Sequence, residues 1–292
     1  KGTAMSILFT NVTAVPMDGT RTVLQNAYVA VDGTTITAVG TVRPRGYFDR
    51  IIDGTGKVLL PGLINAHTHL PMTLMRGYGG GCDLHTWLNQ YIFPAEARLD
   101  SRAVAAGAGL GLAEMIASGV TCVADMYMHT GTIAEQILEA GISANLSCGG
   151  VYFGAPEDFS PETCGDCRNQ AALTEEWHGA GAGQILVDAS VHGEYTSNPP
   201  LWRWMAEYAA EHRLGMHVHV SETQSEHQAS LERWGKTPIQ ALDGCGVWDC
   251  GRSLAAHCVY TTEEDWALMA EKGISCVHNP WSNLKLGSGV AP

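Results

Sequence analysis

From Leu63 to Val277 the chain repeats one pattern: a short apolar run, a polar break, then a segment with helix caps. The runs start near residues 63, 120, 142, 185, 216, 253 and 274. Strands alternating with helices bury both sheet faces, which points to a parallel sheet. Asp100-Ser101 caps a helix predicted over 102–118, and Gly119 ends it. Further helices are predicted over 132–139, closed by Gly141, and over 170–178. Asn198-Pro199-Pro200 opens another that Gly215 ends, and Thr261-Thr262-Glu263-Glu264 reads as a capping box for a helix to Lys272. No Gly-x-Gly-x-x-Gly follows the first run, as a dinucleotide-binding open sheet would require. Seven runs fall one short of a (β/α)₈ barrel, which takes about 250 residues. The expectation for residues 61–292 is therefore an α/β, TIM-type barrel that stops before its eighth strand.

Residues 1–60 differ: short strands separated by turns, with Asp32-Gly33 at hairpin spacing, make an all-β module. Residues 1–4 read as an addition ahead of a native start at Met5, and no signal-peptide core follows. The formal net charge of −13 repels phosphate backbones and anionic membrane faces, so neither nucleic acid nor membrane is an expected partner. Nine cysteines without a secretion signal argue for reduced thiols and a cytoplasmic home. Cys164-Gly165-Asp166-Cys167 stands without a second pair, and reads as a surface-loop coincidence rather than a zinc or redox pair.

The chemistry gathers at the ends of the runs. His67-Thr68-His69 ends the first, and side chains two apart on a strand share a face, so both imidazoles can reach one ion. His217-Val218-His219 repeats that spacing, leaving open which of the two completes the shell. Glu222 just beyond is placed for proton transfer, or else complements the dipole of the next helix. His192, His257 and His278 end three more runs. Imidazoles converging at the carboxyl ends of parallel strands mark the face where barrel enzymes place their sites. Three or more imidazoles with an oxygen ligand suit one divalent ion, Zn²⁺ first, with Fe²⁺ or Mn²⁺ left open. Such an ion lowers the pKa of a bound water to about 7.

Pro61-Gly62-Leu63-Ile64-Asn65-Ala66-His67-Thr68-His69 resembles the metal motif of the amidohydrolase superfamily. Within it, the chain is most similar to the 5-methylthioadenosine/S-adenosylhomocysteine deaminases and triazine-type chlorohydrolases. Met72-Thr73-Leu74-Met75-Arg76-Gly77, Trp87-Leu88 with Pro94-Ala95-Glu96, His219-Val220-Ser221-Glu222-Thr223, Ala256-His257-Cys258-Val259 and the run from His278 to Gly289 carry the likeness. The resemblance implies a (β/α)₈ barrel with a small β-sandwich to which residues 1–60 contribute. It implies a metal held by His67, His69 and His219, with Glu222 and His257 catalytic. It further implies substrate contacts from Trp87, Glu96 and His192; Trp87 as a packing residue is the alternative.

Two departures stand out. The family's fourth metal ligand, an aspartate after the eighth strand, is expected beyond Pro292. The deaminases also place an arginine about where Cys148 stands; Arg168 in the following loop either substitutes for it or is a solvated charge. The implied activity is hydrolysis of a C–N bond in a cyclic amidine, replacing a ring amino group with oxygen. An S-adenosylhomocysteine, 5-methylthioadenosine or adenosine substrate leads. Guanine, 8-oxoguanine, a pterin or a chlorotriazine follows, and a catalytically dead binding subunit is the rival of another class. The partner is a small molecule, and a homo-oligomer is compatible with the pattern.

Overall fold

The computed structural model describes residues 5–292; the reading of residues 1–4 falls outside them. The chain divides into two compact units, the first ending at Leu63 and the second running from Ile64 to Pro292. The first is one sheet of five strands: β1 (Ser6–Ala14), β2 (Leu24–Asp32), β3 (Thr35–Gly40), β4 (Arg50–Asp53) and β5 (Val58–Leu59). The order is β3-β2-β1-β4, with β5 also on β1. The expected hairpin forms through Gly33 at φ 56°, a conformation open to glycine at no steric cost. Val12, Ala14, Ala27 and Val29 alternate inward as its small core.

The second unit carries all seven predicted runs as β6 (Leu63–Thr68), β7 (Val120–Met126), β8 (Ser143–Ser147), β9 (Ile185–Val187) with β10 (Ala189–Gly193), β11 (Met216–Val220), β12 (Ser253–His257) and β13 (Ile274–Val277). They order as β6-β7-β8-β9 and β10-β11-β12-β13. The ladders from β7 to β9 and from β10 to β13 are parallel. The fold is α/β, of the TIM-barrel type.

The run predicted over 185–191 is one strand broken at Asp188. The Asp188 N–H donates to the Leu146 carbonyl in β8, whereas the Ala189 N–H donates to the Gly215 carbonyl ahead of β11. Pairing thus passes from one neighbour to the other at a single residue. The Asp188 carboxylate, buried there, accepts from Gly215 N and Arg252 Nη2, and Asn145 also bonds it. Helices cover the strands. Val104, Ala108 and Leu112 of the helix Ser101–Ala117 pack with Val123 and Leu146, while Leu201, Trp202 and Met205 of Pro199–His212 pack with Val218 and Val220.

Three readings need correction. The helix predicted over 170–178 starts five residues earlier, as Gly165–Trp177. That start puts Cys164 and Cys167 into the core rather than on a surface loop, at 7% and 1% exposure. The capping box of the last long helix uses Thr262 and Asp265, one position along from the pattern expected. The helices Gln224–Trp234, Pro238–Asp243 and Pro280–Lys285 were not predicted. Gln224–Trp234 buries only Glu226 and Ser230, so it carries no apolar stripe for periodicity to reveal. No helix among the described residues is long and apolar enough to cross a membrane.

Candidate active site

His67 sits in β6, His69 just past it, and His219 in β11. Their ligating nitrogens all lie within 4.8 Å of one another. His219 Nε2 is 3.1 Å from His67 Nε2 and 3.2 Å from His69 Nε2. The other ring nitrogens face outward onto acceptors. His69 Nδ1 donates to the Met126 carbonyl at 2.5 Å, and His219 Nδ1 to the His192 carbonyl at 2.6 Å. Both bonds fix the tautomer that leaves Nε2 as a bare lone pair.

The third ring is fixed by a longer chain. Ser147 Oγ donates to the Asp125 carbonyl at 3.2 Å, so its lone pair receives His217 Nδ1–H at 3.2 Å. His217 Nε2 is then an acceptor and takes His67 Nδ1–H at 2.8 Å. His67 Nε2 is left unprotonated like the other two. Burial, and then the neighbouring imidazoles, push His67 and His219 well below the usual histidine range; burial also lowers His69. Three neutral nitrogens converge with no proton between any pair. That donor set fits a divalent cation, and the outward bonds are the support that ligating histidines require.

Glu222 and His257 flank the triad, both about 95% buried, with Glu222 Oε1 3.5 Å from His257 Nδ1. Burial, then the charge of Glu226, pushes the Glu222 carboxyl up to about 8. Glu226 itself accepts from Ser221 N and Glu222 N, which holds the loop after β11. Burial lowers His257 to about 4, so its ring is neutral; its Nδ1–H donates to Asn283 Oδ1 at 2.7 Å. Ser221, His257 and Cys258 adopt φ of 51°, 77° and 48°. Left-handed backbone at three non-glycine residues is strain of the kind that gathers at working sites.

The triad, Glu222 and His257 open on a cavity of about 720 Å³ that Trp87 also lines. A second lobe of about 340 Å³ shares His69, Trp87 and His192 and adds Glu96, Tyr127 and Cys148. Trp87 and Glu96 lie nine residues apart, which in an uninterrupted α-helix is about two and a half turns and opposite faces. The run from Leu84 to Glu96 contains a π turn at Leu88–Ile92, which changes that phase and lets both residues line one cavity. Burial raises the Glu96 carboxyl, and the neighbouring Tyr127 hydroxyl offsets part of the rise. His192 Nδ1 faces Thr196 Oγ1 at 3.1 Å, and burial lowers the ring to about 4. Arg168 is a different case. It is exposed, its Nη1 donates to the Glu162 carbonyl, and it lines neither lobe.

Periodicity had no means of naming Ser147, Asn283, Met126 or Tyr127, because each acts through a contact remote in sequence. Asn283 and Ser147 lay within or beside quoted motifs but carried no charge or metal affinity to single them out.

Residues 58–292 match the amidohydrolase family. A 5-methylthioadenosine/S-adenosylhomocysteine deaminase of Thermoanaerobacter pseudethanolicus is 38% identical over 288 residues, 99% of this chain and 66% of that protein. A 5′-deoxyadenosine deaminase of Methanothermobacter thermautotrophicus is 39% identical over 269 residues, 92% of this chain and 62% of that protein. The chain thus spans just under two thirds of the length of these curated relatives. Among solved structures, an adenosine deaminase from Xanthomonas campestris with bound zinc superposes with a TM-score of 0.88 at 31% identity, over 98% of this chain and 65% of that one. An atrazine chlorohydrolase of Arthrobacter aurescens, at 24% identity and a TM-score of 0.87 over 98% of this chain and 68% of that one, shares the fold. By sequence, fold and donor set, the chain belongs to the amidohydrolase family.

Proposed function

We propose that this protein is a zinc-dependent hydrolytic deaminase of an adenine nucleoside, of the 5-methylthioadenosine or S-adenosylhomocysteine type. The observation that carries the reading is the single cavity onto which the three imidazoles, Glu222 and His257 all open. The relatives' names and the zinc in the Xanthomonas structure support the substrate and the metal. His67, His69 and His219 hold the ion, which when bound supplies Lewis acidity and lowers the pKa of a water toward 7.

The remaining chemistry belongs to the chain. Glu222, whose carboxyl burial raises, is the general acid that delivers a proton to the ring nitrogen beside the amino-bearing carbon. The adjacent carbon becomes electrophilic. His257, held by Asn283 with Nε2 bare, accepts a hydrogen bond from the attacking water. Water adds to that carbon, one of its protons passes to the amino group, the C–NH₂ bond breaks and ammonia leaves, while the other proton returns to Glu222 and the ring keeps the oxygen. Glu96 accepts from ribose hydroxyls and Trp87 walls the base pocket.

Glu222→Gln in the full-length, zinc-loaded protein tests these roles. It should lower kcat for 5-methylthioadenosine by about 100- to 10,000-fold, the usual worth of a positioned general acid, at unchanged zinc content. Unchanged turnover would sink the assignment.

A further inference from the structure

The names of the relatives leave two kinds of 5′ substituent open. One is a small neutral thioether, as in 5-methylthioadenosine; the other is the zwitterionic amino-acid tail of S-adenosylhomocysteine. Glu96, the proposed ribose partner, lines the second lobe, which assigns the 5′ substituent there rather than to the larger cavity that Arg76 and Lys285 line, and that lobe distinguishes the two.

No lysine or arginine lines that lobe; its charged residues are Glu96 and Asp166, both acids. The backbone amides from Gly149 to Tyr152 do not replace the missing cation. Gly149 N donates to Ser190 Oγ, Gly150 N to the Ser190 carbonyl, Val151 N to Asp166 Oδ2 and Tyr152 N to the Thr196 carbonyl. These four consecutive donors of the loop after β8 are therefore committed within the protein. Cys148 is neutral, since burial pushes its thiol up to about 12, and its Sγ–H faces Gln170 Oε1 at 3.4 Å. Most of the remaining wall is apolar, with Met72, Met128, Val151 and Phe153 prominent; its other polar groups are the imidazoles of His69 and His192 and the hydroxyls of Tyr127 and Thr196, none of them a lysine or arginine. A carboxylate entering here would lose its water, meet two acids and find no cation.

We propose that this lobe selects adenine nucleosides whose 5′ substituent is small and uncharged, with Cys148 and Asp166 as the residues that set the choice. The inference rests on the nucleoside-deaminase reading above. A methyl thioether or 5′-methyl group fits an apolar wall at no electrostatic cost, whereas a buried, unpaired carboxylate is the kind of mismatch that binding sites reject strongly.

The test compares kcat/KM for 5-methylthioadenosine and S-adenosylhomocysteine in the full-length, zinc-loaded protein. The expected ratio is at least about tenfold in favour of 5-methylthioadenosine, the least that an unpaired buried charge should cost. Cys148→Arg should bring the ratio down by raising the S-adenosylhomocysteine value. Asp166→Asn, a smaller change that keeps an acceptor for Val151 N, should lower the ratio in the same direction. Equal use of both nucleosides by the unmodified protein overturns the proposal and leaves the deaminase reading standing. A tenfold ratio that neither variant moves overturns the roles given to Cys148 and Asp166. Conversion of neither nucleoside by metal-loaded protein brings down the deaminase reading, and this inference with it.

Discussion

Asp125 shows how one buried residue couples the site to pH. Its Oδ1 accepts from Leu70 N at 2.6 Å, the residue after His69, while Oδ2 is buried without a partner. Burial, only partly offset by the Leu70 bond, pushes its carboxyl up to about 7 from 3.8. A raised folded-state pKa means the contribution to stability is fully present below the unfolded value and is lost as pH rises through the folded one. Relative to Asp125→Asn, the unmodified protein should therefore lose roughly 2–3 kcal/mol of unfolding free energy between about pH 5 and about pH 7.5. Urea titrations of both proteins at the two pH values measure it. Parallel curves would show that the carboxyl titrates normally.

At the scale of elements, the helix Ser101–Ala117 determines where the segment carrying His69 continues. Gly107 faces the turn Leu70–Met75 so closely that a Cβ there would lie 2.6 Å from the Pro71 carbonyl oxygen and 3.0 Å from Leu74 Cγ. Thr73 Oγ1 closes the contact by donating to the Gly107 carbonyl at 2.7 Å. Alanine is the better helix former, yet the obstructing atom is backbone and cannot rotate away. Gly107→Ala should thus destabilise by about 1–3 kcal/mol, read as a lower urea midpoint at unchanged m-value. An unchanged or raised midpoint would mean that the turn yields freely. The other telling element is the helical run from Leu84 to Glu96. Trp87 and Glu96 were legible as a spaced pair, but the π turn that brings both to one cavity leaves no mark in hydrophobic periodicity.

Across the whole second unit, the bonds that orient His67 link four strands. His67 lies in β6, Asp125 in β7, Ser147 in β8 and His217 in β11, so the chain of bonds joins both four-stranded sheets. Loss of a partner that fixes a ligand's tautomer typically costs 10- to 100-fold in metal affinity. His217→Phe and Ser147→Ala should each weaken zinc binding by about that factor, measured by competition with a chromophoric chelator. Full zinc affinity in both variants would show that His67 finds its tautomer without them. Most of this architecture was readable beforehand, because strand runs, caps and helix-ending glycines are local signals. The start of the helix Gly165–Trp177 was not, since Cys164 and Cys167 enter the core only through tertiary packing.

The sequence alone determined the order of strands and helices, and placed the histidines at the carboxyl ends of the strands. Parallel strands share a direction, so residues that follow each apolar run collect on one side of the sheet. What the sequence left open was which histidine of His217-Val218-His219 joins the triad. Both point to the same face, and the i, i+2 spacing allows two imidazoles to share one ion, as His67 and His69 do, so spacing alone could not choose between them. The tertiary structure decided for His219 at the mouth, with His217 one step deeper and bonded to His67. It likewise left Arg168 in solvent and brought Asn283 to His257, because those positions depend on how distant segments pack.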